Sequence, residues 1–339
     1  MTAAAQSPGQ TLRVGFWHTD LAQDGPGLLL EMILSGDDPV PDVAQTIAET
    51  RADVIGLTSV DYDHDLITLG ALRDAVRGAG GWDYQYLAAV RPNTGLATDL
   101  DLDGDGRLGG RDDAQGFGDF AGQGGMAVLS RWPLVLRADH SQRLWRDIPD
   151  SLLIDAAEVV GEAAVGADVQ RLSYVSHWEV SVHPPDRPPI LLMLYHASPP
   201  VFDGPEDRNG RRNHDETMFW LHRLDGAFGP PPTGPFIIMG AANLSPDGGD
   251  GRSQAMRSLL DDPRIHDPPE FIRRPTVHWP APGPGRLRVD YLLPSRHFTP
   301  LATMVGNLET ERAEGASRHV PLWMDIAIGH TPEATATLR

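Results

Sequence analysis

Apolar residues in this chain come in short runs, and none approaches the roughly 18 consecutive positions that a membrane span needs. The runs are Leu12–Trp17, Val54–Val60, Gly125–Leu129, Ser173–Val182, Ile190–His196, Phe236–Met239, Arg288–Leu293 and Pro321–Ile326. Turns rich in Gly, Pro and Asp separate them, drawing on 36 Gly and 30 Pro. Short apolar runs bounded by such breakers predict strands. Helical spacing is confined to Val43–Glu49, Leu66–Val76, Asn213–Leu224 and Gly251–Leu260. The third of these opens with "NHDE", the acidic first turn that a helix N-terminus favours. More strands than helices, many joined by turns, predict an α/β domain with two packed sheets flanked by helices. That domain is expected over residues 11–329, after a disordered segment 1–10 and before a tail 330–339. The Pro-rich "RRPTVHWPAPGPGRLRVDY" reads as an ordered irregular loop, because it carries Trp279 and feeds a strand.

Charge narrows the partners. The net charge is -19, and every basic side chain is Arg. Long nucleic acid requires a basic footprint, so a general DNA or RNA binder is not expected. A small anion held by a local Arg cluster remains compatible with this balance. The chain has no Cys, which removes disulfides, thiolate chemistry and Cys-ligated zinc. The start, "MTAAAQSPGQ", lacks a basic stretch followed by an apolar one. A soluble protein is expected, cytoplasmic or secreted with its signal peptide absent from this chain.

"DLDGDGRLGGRD" places Asp101, Asp103 and Asp105 at positions 1, 3 and 5 of a calcium-type loop. Gly106 stands at the sharp turn, Arg107 offers its carbonyl at position 7, and Asp112 closes position 12. Alternate carboxylates let several oxygens converge on one hard cation. Ca2+ is therefore expected here, ordering a long loop; a solvated acidic turn is the plainer alternative.

Polar and ionisable residues gather where the apolar runs stop. "RVGFWHTD" ends in His18 and Asp20, and "LTSVDYDHD" carries Ser59, Asp61, Asp63 and His64. "LLMLYHASPP" delivers His196, "PFIIMGAANLSP" delivers Asn243, "LRVDYLL" holds Asp290, and "SRHVPLW" presents Arg318 and His319. In this order, "GMAVLSRWP", "YHA", "GAAN", "VDY" and "SRH" resemble the endonuclease/exonuclease/phosphatase superfamily, from Leu12 to about Ile326. The resemblance implies a four-layer α/β sandwich, two mostly antiparallel sheets packed face to face with flanking helices. It also implies phosphoester hydrolysis with Mg2+ or a related cation. Carried over by position, His196 would protonate the leaving oxygen. His319, oriented by Asp290, would activate water, and Asn243 would bind the phosphoryl oxygens.

Several positions depart from the family pattern. His18 stands for an Asn, Ser59 for the metal-binding Glu, Ala241 for the Asp of "GDxN", and Arg318 for the Asp of "SDH". Three readings follow. A displaced metal could sit among His18, Asp20, Asp61, Asp63 and His64, where His ligands favour Zn2+, Mn2+ or Fe over Mg2+. Arg318 could supply the positive charge in place of a metal. Or the site is inactive, with Ala241 its mark, natural or engineered.

The segment "HASPPVFDGPEDRNGRRNHDE" adds Arg208, Arg211 and Asn213 as candidates for holding an anion at the start of a helix. An atypical phosphoester hydrolase on a small anionic substrate is the leading expectation. A non-catalytic binding protein of the same fold and a repurposed enzyme are the alternatives.

Overall fold

The central strands are buried on both faces, alternate residues entering different cores, which explains why the apolar runs are uninterrupted. The computed structural model describes residues 11–153, 166–306 and 315–328; the segment 1–10 and the tail 330–339 lie outside them. One sheet contains β1 (Thr11–His18), β2 (Val54–Val60), β3 (Tyr86–Ala89), β4 (Gly125–Ser130), β12 (Phe298–Val305) and β13 (Leu322–Ile328), in the order β12-β13-β1-β2-β4-β3. The other contains β5 (Leu134–Asp139), β6 (Ser176–Val182), β7 (Ile190–His196), β8 (Phe236–Ala241) and β11 (Asp290–Pro294), in the order β11-β8-β7-β6-β5. Leu12, Val14 and Phe16 of β1 meet Leu192 and Leu194 of β7, Ile237 and Met239 of β8, and Leu292 of β11 in one core between the sheets. The alternate residues face outward. Ile55 and Leu57 of β2 pack under α1 (Leu28–Ser35), α2 (Val40–Thr50) and α3 (Ile67–Gly78). Met193 and Tyr195 of β7 pack under α4 (Arg208–Leu224) and α5 (Gln254–Leu260). The chain is thus the expected four-layer α/β sandwich.

Each sheet contains one parallel pair, β1 with β2 and β7 with β8; the other pairs are antiparallel. Parallel neighbours need a crossover, and helices supply it: α1 and α2 between β1 and β2, and α4 between β7 and β8. The carboxyl ends of these two pairs are where open α/β sheets place ligands.

Differences from expectation concern ends and edges. β1 and β8 run on through His18 and Ala241, past the expected ends at Trp17 and Met239. The third helix begins at Arg208, not Asn213. Asn213 is therefore interior to the helix, and the acidic "DE" is not its first turn. The Pro-rich loop contains a hairpin, β9 (Val277–Trp279) with β10 (Gly285–Leu287). α1, β3, β5 and β12 had no sequence signal of their own. In β5, an edge strand with Val135 and Leu136 exposed, no burial pattern exists to detect.

Candidate active site

Rows of side chains that fill the space between the sheets end in polar groups at one rim. Leu12, Val14 and Phe16 of β1 lead to His18, and Ile190, Leu192 and Leu194 of β7 lead to His196. Ile237 and Met239 of β8 lead to Ala241, and the β11 row containing Leu292 begins at Asp290. Period-two geometry alone puts these four on the inward face. The backbone turns sharply just beyond β1 and β8 and at the register shift near the end of β2. Asp20, Ser59 and Asn243 hold φ of +53°, +64° and +50°, a left-handed conformation in which non-glycine residues often mark functional sites.

Three histidines meet at this rim. The His18 ring stacks on His319, centroids 4.1 Å apart at 14°, and meets His196 edge-on at 5.2 Å. His319 Nδ1 lies 2.7 Å from Asp290 Oδ2, and both residues are buried. That carboxylate holds Nδ1–H, leaving Nε2 as the basic nitrogen. The His319 backbone is fixed as well: Trp17 Nε1 donates to its carbonyl at 3.0 Å, and His278 N donates to the Arg318 carbonyl at 3.1 Å. His196 Nδ1 lies 2.6 Å from Thr58 Oγ1. Thr58 carried no sequence signal, because an inward threonine in an apolar strand looks like packing. Burial, reinforced by the neighbouring rings, lowers His18 to about 4 and His196 well below its ordinary value, so both are neutral near pH 7.

Asp20 and Arg318 form the charged edge. Arg318 Nε and Nη2 each lie 3.1 Å from an oxygen of Asp20, and Arg318 N donates to Asp20 at 3.0 Å. Burial pushes the Asp20 carboxyl up, but His18, the Arg318 hydrogen bond and His319 together hold it well below the usual range.

Several expected residues lie elsewhere. Asp61 does not join His18, because the strand ends at Val60 and shifts register at Ser59. Its carboxylate accepts from Gln23 N and Gly124 N, and burial raises it to about 6. Asp63 accepts from Ile67 N and Thr68 N at the start of α3. The displaced-metal set of Asp61, Asp63 and His18 therefore does not form. Arg208 donates to Gln170 Oε1 at 2.5 Å and Arg211 to the Glu206 carbonyl at 3.0 Å, and neither lines the pocket. Asn213 is buried and donates to the carbonyls of Ser198 and Ala242. Asn243 does reach the pocket, with its amide donating to the Ala197 carbonyl at 2.9 Å.

Sequence reading missed the support behind these residues. Arg212 and Glu216 project from α4 into the protein. Arg212 donates to the carbonyls of Gln115, Arg171, Leu172 and Ser173. Glu216 accepts from Tyr174 N at 2.6 Å and Ser198 N at 2.7 Å. One helix face thus sets two pocket-bearing segments, 171–174 and 196–198.

His18, Asp20 and His319 place ligand atoms within 4.8 Å of one another, as do Asp101, Asp103 and Asp105. The first set does not fit a hard cation such as Mg2+: it holds one carboxylate, already engaged by Arg318 through both oxygens. Nor do the rings converge. An imidazole lone pair lies in the ring plane, and nearly parallel planes 4.1 Å apart cannot both aim at an ion about 2.0–2.1 Å from each nitrogen. In the acidic loop, Asp101 accepts from Gly104 N and Gly106 N. Asp105 accepts from Arg107 N, and Asp112 sits in a separate helical turn, Arg111–Asp113. Asp112 is therefore not grouped with the three carboxylates as the twelfth-position ligand.

The sequence profile of the Endonuclease/Exonuclease/phosphatase family matches residues 33–319. No curated protein sequence matches the chain. Among solved structures, an endonuclease/exonuclease/phosphatase from Beutenbergia cavernae is 20% identical, with a TM-score of 0.59, over 96% of this chain and 73% of that one. A family protein from Leptotrichia buccalis is 15% identical, with a TM-score of 0.53, over 93% and 99%. ANGEL2, a 2',3'-cyclic phosphatase solved with adenosine-2',3'-vanadate, is 15% identical, with a TM-score of 0.52, over 94% and 96%. Likenesses this distant establish the fold.

Proposed function

This chain belongs to the endonuclease/exonuclease/phosphatase family, and on that premise we propose that it hydrolyses a small phosphoester with histidines and an arginine in place of the acidic metal cradle. The observation that carries this reading is the buried His319–Asp290 pair at 2.7 Å, facing the same pocket as His196 and Arg318. A relative of the same fold, ANGEL2, is described as a 2',3'-cyclic phosphatase, which is consistent with small-phosphoester chemistry.

In this mechanism His319 Nε2 takes a proton from water while Asp290 steadies the imidazolium that forms. The water oxygen bonds to phosphorus and the ester oxygen departs. The mechanism takes the tautomer in which Nδ1, 2.6 Å from Thr58 Oγ1, accepts from that hydroxyl, so that His196 meets the leaving oxygen through Nε2–H. Being neutral, His196 is a hydrogen-bond donor here and not a stored proton. The leaving oxygen takes up the proton released by His319, directly or through solvent. Arg318 opposes the charge that builds on the phosphoryl oxygens, and Asn243 lies beside them. Family relatives use divalent metals, but no step here runs through one.

A phosphoester screen with and without chelator tests this. Turnover should survive chelation, and His319→Ala or Asp290→Asn should lower kcat by about 10²–10⁴-fold. Activity abolished by chelator and restored by Mg2+, Mn2+ or Zn2+ would overturn the metal-free mechanism. A second reading, a binding protein of the same fold, is favoured by Ser59 and Ala241 standing where the pattern has acids; it predicts ligand binding without turnover. For the acidic loop, Ca2+ remains the proposed ion, held by Asp101, Asp103 and Asp105. Elemental analysis after dialysis should find it in the wild type and not in an Asp103→Asn, Asp105→Asn variant.

A further inference from the structure

The cavity that ends at His196 and His319 has a volume of about 580 Å³, within the range of sites that enclose small organic ligands. Its base is polar, and its walls are largely apolar. Tyr174, Phe202, Leu244, Trp279 and Leu287 line it. Trp279 meets the His319 ring edge-on, centroids 5.7 Å apart at 87°. An aromatic surface thus stands directly beside the proposed base. Phe202 is 91% exposed, at φ +70°. A bulky side chain in the left-handed region is strained, and an uncovered phenyl ring leaves its apolar surface in water. An apolar ligand group covering the ring would offset both.

Charge sets the other limit. Among the described residues that line the cavity, Arg318 is the one arginine, while Asp20 and Asp250 contribute carboxylates. Arg318 already engages Asp20, and His18 and His196 are neutral. A single negative charge can be met by Arg318 and the histidine N–H groups. Further negative charge meets the Asp250 carboxylate and the field of a chain with net charge -19.

Resting on the hydrolase reading above, we propose that the substrate is a singly charged phosphodiester bearing an aromatic or otherwise apolar ester group, and that phosphomonoesters and polyphosphates are excluded by charge. Water oxygen bonds to phosphorus, one ester P–O bond breaks, and the leaving oxygen gains a proton. The phosphomonoester product gains a second negative charge at neutral pH, so the same imbalance that rejects dianions expels it.

Calorimetry at pH 8 with diphenyl phosphate, dimethyl phosphate and phenyl phosphate tests the ligand class without requiring turnover. Diphenyl phosphate should bind at least ten-fold tighter than either other ligand. Trp279→Ala should narrow its margin over dimethyl phosphate several-fold, as should Phe202→Ala, whose ring lies in solvent and is not needed for folding. Equal affinity for diphenyl and dimethyl phosphate, or tighter binding of phenyl phosphate, would overturn the proposal. In turnover, bis(4-nitrophenyl) phosphate should exceed methyl 4-nitrophenyl phosphate at least ten-fold in kcat/KM, although the leaving group is the same. Tight diphenyl phosphate binding with neither ester hydrolysed would end the hydrolase reading and leave the ligand class standing.

Discussion

Ala241 shows how one side chain decides the chemistry its neighbours can do. It pairs with His196 on one side and Asp290 on the other, fully buried, at the end of an inward-facing row. Asp290 Oδ1 is buried without a hydrogen-bond partner among the described residues. A carboxylate at 241 would therefore be a second buried acid beside Asp290. Ala241→Asp should cost about 3 kcal/mol in chelator, the scale of an uncompensated buried charge, and added Mg2+ should recover part of it. Urea unfolding with and without Mg2+ measures both, and unchanged stability would refute the account. The sequence disclosed His196, Asn243, Asp290 and His319 because each is a polar or ionisable group at the end of, inside or just before an apolar run, where packing alone would not put it. It did not disclose that Asp61 turns away, since the register shift at Ser59 is a backbone event with no residue signature.

At the level of elements, α4 does more than cover the second sheet. Its apolar residues Phe219, Trp220 and Leu224 pack on β7 and β8, while Arg212, Asn213 and Glu216 reach past them to backbone groups. Polar residues in a helix normally mark its solvent face, so the sequence read Asn213 as a ligand for an anion and passed over Arg212 and Glu216. Glu216→Ala would strand the buried amides of Tyr174 and Ser198, each costing about 1–3 kcal/mol. Urea unfolding should show a loss of about 2–6 kcal/mol, and KM should rise as Tyr174 loosens. A KM equal to wild type in the folded fraction would separate α4 from pocket geometry. The close strand approach is equally demanding: a Cβ at Gly240 would lie 2.1 Å from the Tyr195 carbonyl. Gly240→Ala should therefore push β7 and β8 apart and lower the folded yield sharply.

For the whole molecule, buried histidines govern acid sensitivity. Burial lowers His177 to about 3 and His18 to about 4, against about 6.5 in the unfolded chain. Below pH 6.5 the unfolded chain binds protons that the folded one refuses. The stability these rings contribute is complete above 6.5 and falls as pH drops toward 4, by up to about 1.4 kcal/mol per pH unit for each ring. Asp61 and Glu216, raised to about 6 and 7, act in the opposite sense and offset part of the loss. Between pH 7.5 and 5, His177→Gln should lose about 1–2 kcal/mol less than wild type in urea titrations; an identical loss would exclude this origin. The four-layer fold was legible from strand-length runs and the ordered motifs, whereas β9 and β10 were not, being three residues each in a proline-rich stretch. One consequence follows from the sheet order. β13, the last strand in sequence among the described elements, lies inside its sheet, between β12 and β1, and His319 stands shortly before it, separated by Val320 and Pro321. On the proposed mechanism, a nascent chain would carry His18, His196 and Asp290 before His319 and β13 were made, so the site could assemble only once β13 had slotted in between β12 and β1.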